Sequence, residues 1–322
     1  MRRPELILVT GGAGFLGTHV CLALTERGAE VVCVDDLSTS SPANVAELRR
    51  RAGVEFVEHD ISEHDGDPRL TRRFDMVMHL ASAASPPDYL RLPVQTLRAG
   101  SNGTATALEI ARRCGCRFVL ASTSEVYGDP LQHPQCETYW GNVNPIGPRS
   151  VYDEAKRFAE ALVFAHHRAY GTDVAVARIF NTYGPRMRID DGRMVPAFSR
   201  QALAGEPITV SGSGQQTRSI CYVDDTIAGL LALAEADITG PVNIGNPNEQ
   251  TVLEVAEMIR DIAGSTSPIH YVGAVADDPR RRCPDIRVAR ESLGWEPKVP
   301  AREGLAVTVE WFRGVRSEMS RT

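Results

Sequence analysis

The chain has 322 residues, 43% of them apolar, and a formal net charge of −6 with acids and bases interspersed. That length suffices for two lobes or one large α/β unit, and the charge argues against nucleic acid as a general partner. No apolar run approaches the ~20 residues that span a bilayer, so no membrane partner is expected.

The lead-in Met1-Arg-Arg-Pro4 runs directly into the first apolar segment. That segment is too short, and too plainly part of the fold, for a secretory signal. It is Leu6–Thr10, a strand that enters Gly11-x-x-Gly14-x-x-Gly17, with Phe15 and Leu16 between the last two glycines and a helical pattern over Thr18–Arg27. Glycines there permit a tight turn and a close approach to a pyrophosphate, and the helix N-terminus offers free amides and partial positive charge. A second apolar strand, Val31–Asp35, ends in Asp35-Asp36, about 20 residues after the glycines, where a ribose diol is expected. An acid at this place repels a 2′-phosphate, so NAD is expected rather than NADP. Further strands are expected at Val54–His59, Met76–Leu80, Phe118–Ser122 and Val174–Ile179, with helices between most of them, including Thr96–Cys114 and Tyr152–Tyr170. This alternation predicts parallel strands joined by right-handed crossovers, a doubly wound α/β sheet of the Rossmann type. Gly14, Asp35, Leu80, Thr123 and Asn181 all follow strand ends and should line one crevice.

On the Tyr152 helix the i, i+4 spacing puts Tyr152 and Lys156 on one face. An ammonium beside a phenol lowers its pKa and suits it to take a proton from an alcohol. After Asn181 the regularity breaks. Val223–Ala236 reads as a helix, Val242–Gly245 as a short added strand, Thr251–Ala263 as an amphipathic helix capped by Thr251, Pro268–Arg287 as loop, and Glu303–Phe312 as a final helix. The expected division is a NAD-binding domain over residues 1–181 with 223–246 added back, and a smaller α/β substrate lobe over 182–222 and 247–322.

Seven scattered cysteines suggest no disulfide scaffold, and Cys114-Gly-Cys116 has no matching pair, so no metal site is expected. The cysteines fit small buried residues in a reducing cytoplasm. His166-His167 and His59 read as structural, Trp140 and Trp295 as packing residues, and Arg280-Arg281 as a solvated basic face.

The strand, glycines and Tyr-x-x-x-Lys together are similar to the short-chain dehydrogenase/reductases. More specific are His79-Leu-Ala-Ser-Ala-Ala-Ser-Pro-Pro-Asp-Tyr89, Ser122-Thr-Ser-Glu-Val-Tyr-Gly-Asp-Pro130, Tyr139-Trp-Gly-Asn-Val-Asn-Pro-Ile-Gly-Pro-Arg149, Ala177-Arg-Ile-Phe-Asn-Thr-Tyr-Gly-Pro-Arg-Met187 and Asp277-Asp-Pro-Arg-Arg-Arg-Cys-Pro-Asp285. With these, residues 6–312 resemble the extended members that act on nucleotide sugars, and most of all the UDP-glucuronate decarboxylase family. The resemblance implies oxidation at C4 by bound NAD, loss of CO₂ from the resulting β-keto acid, and re-reduction at C4. It assigns Tyr152, Lys156, Thr123, Ser124, Glu125 and Arg282 to catalysis. Gly11, Gly14, Phe15, Leu16, Gly17, Asp35, Asp60, Ile61, Leu80 and Ala81 join Tyr152 and Lys156 at the cofactor. Ser85, Tyr89, Asn181, Arg186, Arg218 and Arg282 fall to the UDP-sugar. For Glu125 three roles stay open: repelling the sugar carboxylate, placing a water or proton for C5, or capping the next turn. Tyr127 is open between packing and site. Related dehydratases carry an acid where this chain has Ser124, which is a poor acid for expelling a hydroxyl. Two positions depart from the family: Ala83 replaces a usual Pro, and Gly100 a usual Asn. The helices 96–114 and 152–170 form the usual dimer face, so a homodimer is expected. The rival readings are a nucleotide-sugar 4-epimerase or 4,6-dehydratase, and a non-catalytic NAD-sensing module.

Overall fold

The computed structural model describes residues 6–63, 67–274 and 277–319; the lead-in Met1–Pro4 lies outside them. Near-continuous runs of valine, isoleucine and leucine make strands buried on both faces, which only a helix-covered parallel sheet satisfies. β1 (Leu6–Thr10), β2 (Glu30–Asp35), β3 (Val54–Glu58), β4 (Met76–His79), β5 (Arg117–Thr123) and β6 (Val174–Ile179) are joined by the strand Val242–Ile244. They lie in the order Val242–Ile244, β6, β5, β4, β1, β2, β3, all parallel. Every expected strand is present with ends moved by a residue or two, and the late strand is added to β6 as read from the sequence. The order reverses between β1 and β4, so a crevice opens at their carboxyl ends.

Alternate residues serve the two faces. Ile7, Val9, Val31, Cys33 and Met78 pack with Val20, Cys21 and Leu24 of α1 (Phe15–Glu26). Leu8, Val32, Val77, Phe118 and Leu120 pack on the other side. Leu8 and Phe118 are fully buried, each contributing roughly 1.5–3 kcal/mol by leaving water. A further helix, α2 (Pro42–Arg50), covers the β2–β3 edge and was not expected.

The helix expected at 96–114 begins earlier, as α3 (Pro93–Arg98), because Pro93 suits a first turn that needs no amide. It passes a π-helical turn at Ala99–Gly103 and continues as α4 (Thr104–Cys114). α5 (Ser150–Tyr170) packs beside it. Gly100 is the point of closest approach: a Cβ there would lie 2.7 Å from Ala155 Cβ and 2.8 Å from Ala155 O. Ala107, Leu108, Ala111, Ala159 and Val163 carry α4 and α5 onto the sheet.

Beyond Asn181 come α6 (Met194–Ala204), β7 (Ile208–Ser211), α7 (Val223–Glu235), α8 (Val252–Ala263), β8 (Ile269–Val272), α9 (Arg287–Leu293) and α10 (Ala301–Met319). Thr251 caps α8 in a full capping box, accepting from Glu254 N at 3.1 Å while Thr251 N donates to the Glu254 carboxylate at 2.7 Å. The expected loop 268–287 contains β8, which pairs in parallel with β7 from Ile208↔Ile269 to Ser211↔Val272. Its side chains are mostly exposed, so no apolar pattern marks it. α10 outruns the expected 303–312, with Leu305, Val309 and Phe312 as its buried stripe. One apolar cluster runs from Ile7 in the sheet to Val255 and Phe312.

Candidate active site

The first βα turn is set by sterics. Gly11 has φ +69°, and a Cβ on it would lie 2.6 Å from Ala81; a Cβ on Gly17 would lie 2.1 Å from Gly11 O. A side chain is therefore excluded at both glycines, and the turn is held by its own amides, Gly11 N and Gly12 N donating to Val34 O and Gly14 N to Gly11 O. Asp35 closes the loop from β2, accepting from Ala13 N (2.9 Å), Leu37 N (2.9 Å) and Ser40 Oγ (2.7 Å). Burial pushes its carboxyl up, and these hydrogen bonds pull against that. Asp36 instead holds Ser38, through its amide at 3.0 Å and its hydroxyl at 2.7 Å.

Gly11, Gly14, Phe15, Leu16, Gly17, Asp35, Asp60, Ile61, Leu80, Ala81, Tyr152 and Lys156 line a single cleft with Ser85, Thr123, Ser124, Glu125, Asn181 and Arg186. His59 lines it too. The Ser82 hydroxyl and Asn181 Oδ1 are buried without a protein partner, as groups awaiting a polar ligand are. With the tight glycine turn beside them, they fit a dinucleotide.

α5 brings Tyr152 and Lys156 together, and α5 is itself pinned: Glu160 accepts from Ser122 Oγ at 2.6 Å and from both ends of the Arg178 fork at 3.0 and 2.7 Å. Lys156 Nζ donates to Ala121 O at 2.8 Å, and burial pulls its ammonium down to about 8. The expectation that Lys156 lowers the Tyr152 phenol is not met. Burial dominates and pushes the phenol up; the Thr123 hydroxyl pulls it back, and Lys156 Nζ is 6.0 Å from the ring centroid. Tyr89 stacks on Tyr152 with centroids 5.5 Å apart, and Ala83 completes this small apolar group. The Ala83 departure thus touches the phenol's surroundings.

Glu125 lies in the turn after β5, with a side chain only 13% exposed. Arg282 grips it with both fork nitrogens (2.5 and 2.8 Å), and Arg149 adds a third bond at 2.8 Å. Burial alone would raise its carboxyl, but the two guanidiniums win and hold it well below the usual carboxylate range. Arg218 donates to Asp278 at 2.6 Å, and Asp278 also lies 3.6 Å from Arg149. Asp153, next to Tyr152, is pushed up to about 7 by burial and by the charge of Glu125. Sequence reasoning missed Arg149 and Asp153 as site residues; their signal was position, Arg149 three residues before Tyr152 at the end of the Tyr139–Arg149 motif and Asp153 directly after Tyr152.

Of the expected sugar-binding residues, Ser85, Asn181 and Arg186 line the cleft, and Tyr89, Arg218 and Arg282 do not. Arg186 lines the cleft, but its fork is engaged by Glu47 at 2.9 and 2.8 Å. Ser85 donates to Asp88 (2.6 Å), which Arg188 also holds (2.8 Å). Tyr127 is buried and donates to Asn243 (2.8 Å), so it packs. His166 and His167 meet Thr172 and close the end of α5. Trp295 packs as expected and donates to Asp225 O. Trp140 does not: its side chain is 90% exposed, although its carbonyl is held by Arg157 at 3.0 Å. Arg280 and Arg281 face solvent.

The sequence profile of the NAD dependent epimerase/dehydratase family matches residues 7–245. The chain belongs to that family. Its relatives include UDP-glucuronic acid decarboxylase 6 of Arabidopsis thaliana, 51% identical over 95% of this chain and 88% of the relative. UDP-glucuronic acid decarboxylase 1 of Xenopus tropicalis is 49% identical over 95% of this chain and 72% of the relative. Among solved structures, UDP-glucose 4-epimerase of Thermotoga maritima superposes with TM-score 0.90 at 32% identity over 97% of this chain and all of that one. UDP-glucuronic acid 4-epimerase of Bacillus cereus, solved with UDP-glucuronic acid and NAD, gives 0.86 at 28% identity with the same coverage. The epimerase/dehydratase cofactor is NAD, and the acids Asp35 and Asp36 at the end of β2 suit its ribose diol.

Proposed function

We infer that the protein is a UDP-glucuronic acid decarboxylase that forms UDP-xylose and retains its NAD. The decarboxylase relatives support this over nearly the whole chain. The observation that carries it within the site is Glu125, ionised between Arg282 and Arg149, beside Ser124 where a dehydratase needs an acid. Carbon dioxide leaves without a proton, so no leaving-group acid is required. The glycine turn, Asp35 and Lys156 would hold NAD, which when bound would supply a hydride acceptor and donor for C4. With the positive charge of NAD⁺ offsetting the burial that raises its phenol, Tyr152 takes the proton of the C4 hydroxyl, with Thr123 sharing it, and then as a phenol steadies the oxygen at C4 while the carboxyl departs. Lys156 holds positive charge on the same face. Arg282 and Arg149 draw the sugar carboxylate in, and Glu125 opposes it at short range, an opposition relieved as CO₂ leaves.

The lobe of residues 182–222 and 247–322 supplies Arg186, Arg218 and Arg282 and closes over the nucleotide sugar. A homodimer belongs to the same reading, supported by Leu90, Val94, Leu97 and Phe158, which are 55%, 56%, 41% and 51% exposed on α5 and the helical stretch from Pro86 to Arg98. A reducing, cytoplasmic setting fits seven unpaired cysteines. Incubation with UDP-glucuronate, followed by mass spectrometry and CO₂ capture, is the test. Release of CO₂ with UDP-xylose is expected. UDP-galacturonate without CO₂ would make it the epimerase, and an unchanged substrate would make it a binding module.

A further inference from the structure

Away from the cleft, three residues far apart in sequence converge. His133 lies in the loop after β5, Glu249 just before the α8 cap, and Cys283 directly after Arg282. His133 Nε2 is 2.8 Å from Glu249 Oε2, and both lie within 4.8 Å of Cys283 Sγ. The three segments are fastened to one another. Cys283 N donates to Gln135 Oε1 at 2.8 Å, Gln135 N donates to Cys283 O at 2.9 Å, and Thr217 Oγ1 donates to Glu249 Oε1 at 2.6 Å. The donors are thus placed by backbone that is already ordered. A second observation points the same way. Ser219 is wholly buried, its hydroxyl has no well-formed hydrogen bond, and it sits against the same thiol. The thiol itself donates to Pro247 O at 3.3 Å, with Pro284 O at 3.9 Å, bonds that a metal-bound sulfur would give up.

An imidazole nitrogen, a carboxylate oxygen and a sulfur form the mixed set that zinc-type cations take in tetrahedral sites, with water or a hydroxyl as a fourth donor. The side chains of His133 and Glu249 are 29% and 26% exposed, which leaves an entry path from solvent. We propose that His133, Glu249 and Cys283 bind a divalent cation of the zinc type and so brace the segment that carries Arg282. On binding, Cys283 gives its thiol proton to solvent and the sulfur bonds the metal; no oxidant or reductant is involved. The site stands apart from the decarboxylase chemistry, since none of its three residues lines the NAD cleft. No spacing rule exposes it, because the ligands lie more than a hundred and then more than thirty residues apart (133, 249, 283).

The test uses the NAD-loaded protein, stripped with EDTA and titrated with Co²⁺. Binding at one equivalent, with a near-ultraviolet thiolate-to-cobalt charge-transfer band that Zn²⁺ abolishes, is expected. Cys283→Ser should lose the band, and His133→Asn should weaken binding about tenfold or more. Cys136→Ser, which removes the half-buried thiol nearby in sequence, should keep it. Circular dichroism checks the fold; if Cys283→Ser does not fold, His133→Asn decides. A wild-type protein without the band, a band unchanged in His133→Asn or Cys283→Ser, or one lost in Cys136→Ser would overturn the proposal.

Discussion

Gly100→Asn introduces the residue that the family resemblance leads one to expect, and this chain should reject it. A Cβ at 100 would meet Ala155 Cβ at 2.7 Å and Ala155 O at 2.8 Å, whereas carbon atoms rest at about 3.5–4.0 Å. The π turn and α5 must then part by roughly 1 Å, and overpacking of this kind costs about 1–3 kcal/mol. For a chain of this size the melting temperature should fall by about 2–4 °C per kcal/mol at most. Ala155 directly precedes Lys156 on the helix that holds Tyr152, so activity should suffer more than stability; a 1 Å misplacement can cost about 100-fold in rate. Ala155→Gly removes the nearer contact but weakens α5 by about 0.5–1 kcal/mol. The double variant should melt higher than the sum of the single effects implies, with a coupling of about 1 kcal/mol. Recovery stays partial because the Ala155 carbonyl remains in place. Scanning calorimetry and UDP-xylose formation read all four proteins. A Gly100→Asn protein with wild-type melting and turnover would refute the steric reading of this contact.

Tyr152→Phe should lower decarboxylation by about 100- to 10,000-fold while NAD stays bound, read by product formation and by cofactor fluorescence; full turnover would mean another group takes the C4 proton. Burial lowers Lys156 to about 8, so its ammonium is present below that pH and is lost as the pH rises through it. The kcat profile should therefore fall on the alkaline side near that value, and Lys156→Arg should remove that limb because a guanidinium stays charged. On the proposed homodimer, the unaltered protein should give the mass of two chains in sedimentation velocity, and Phe158→Glu combined with Leu97→Glu the mass of one; an unaltered protein with the mass of one chain would refute the dimer, and unchanged sedimentation of the variant would refute this face.

The central sheet was legible because a parallel strand buried on both faces is nearly all apolar, as in Leu6–Val9 and Val31–Val34. Edge elements were not. β8 exposes most of its side chains and carries no periodic signal, and α2 was hidden behind the Ser-rich run that precedes Pro42. The cofactor loop could be read from glycine spacing since its sterics are local. The partners of Glu125 could not, because Arg149 and Arg282 lie 24 and 157 residues away in sequence. The i, i+4 spacing brought Tyr152 and Lys156 to one face, yet it carries no information on burial. Burial is what sets the phenol's pKa here.

The arginine cluster has a charge deficit that bears on how substrate and product are told apart. Arg149, Arg218 and Arg282 are three cations, and Glu125 and Asp278 are the two anions that pair with them, leaving one positive charge over. Asp153 balances it only in part near neutrality, being pushed up to about 7. A glucuronate carboxylate supplies the missing negative charge, and xylose does not. Yet the entering carboxylate must share the arginines with Glu125, so part of its attraction is offset by repulsion that ends when CO₂ departs. Glu125→Gln keeps the shape and one acceptor oxygen but removes the opposing charge. The substrate should then bind more tightly and react more slowly: KM and kcat should fall together, the pattern of lost ground-state strain. The affinity for UDP-xylose should change less than that for UDP-glucuronate, measurable by calorimetry with each. If KM rises while kcat holds, Glu125 is a binding group for the sugar, and the repulsion assigned to it is absent.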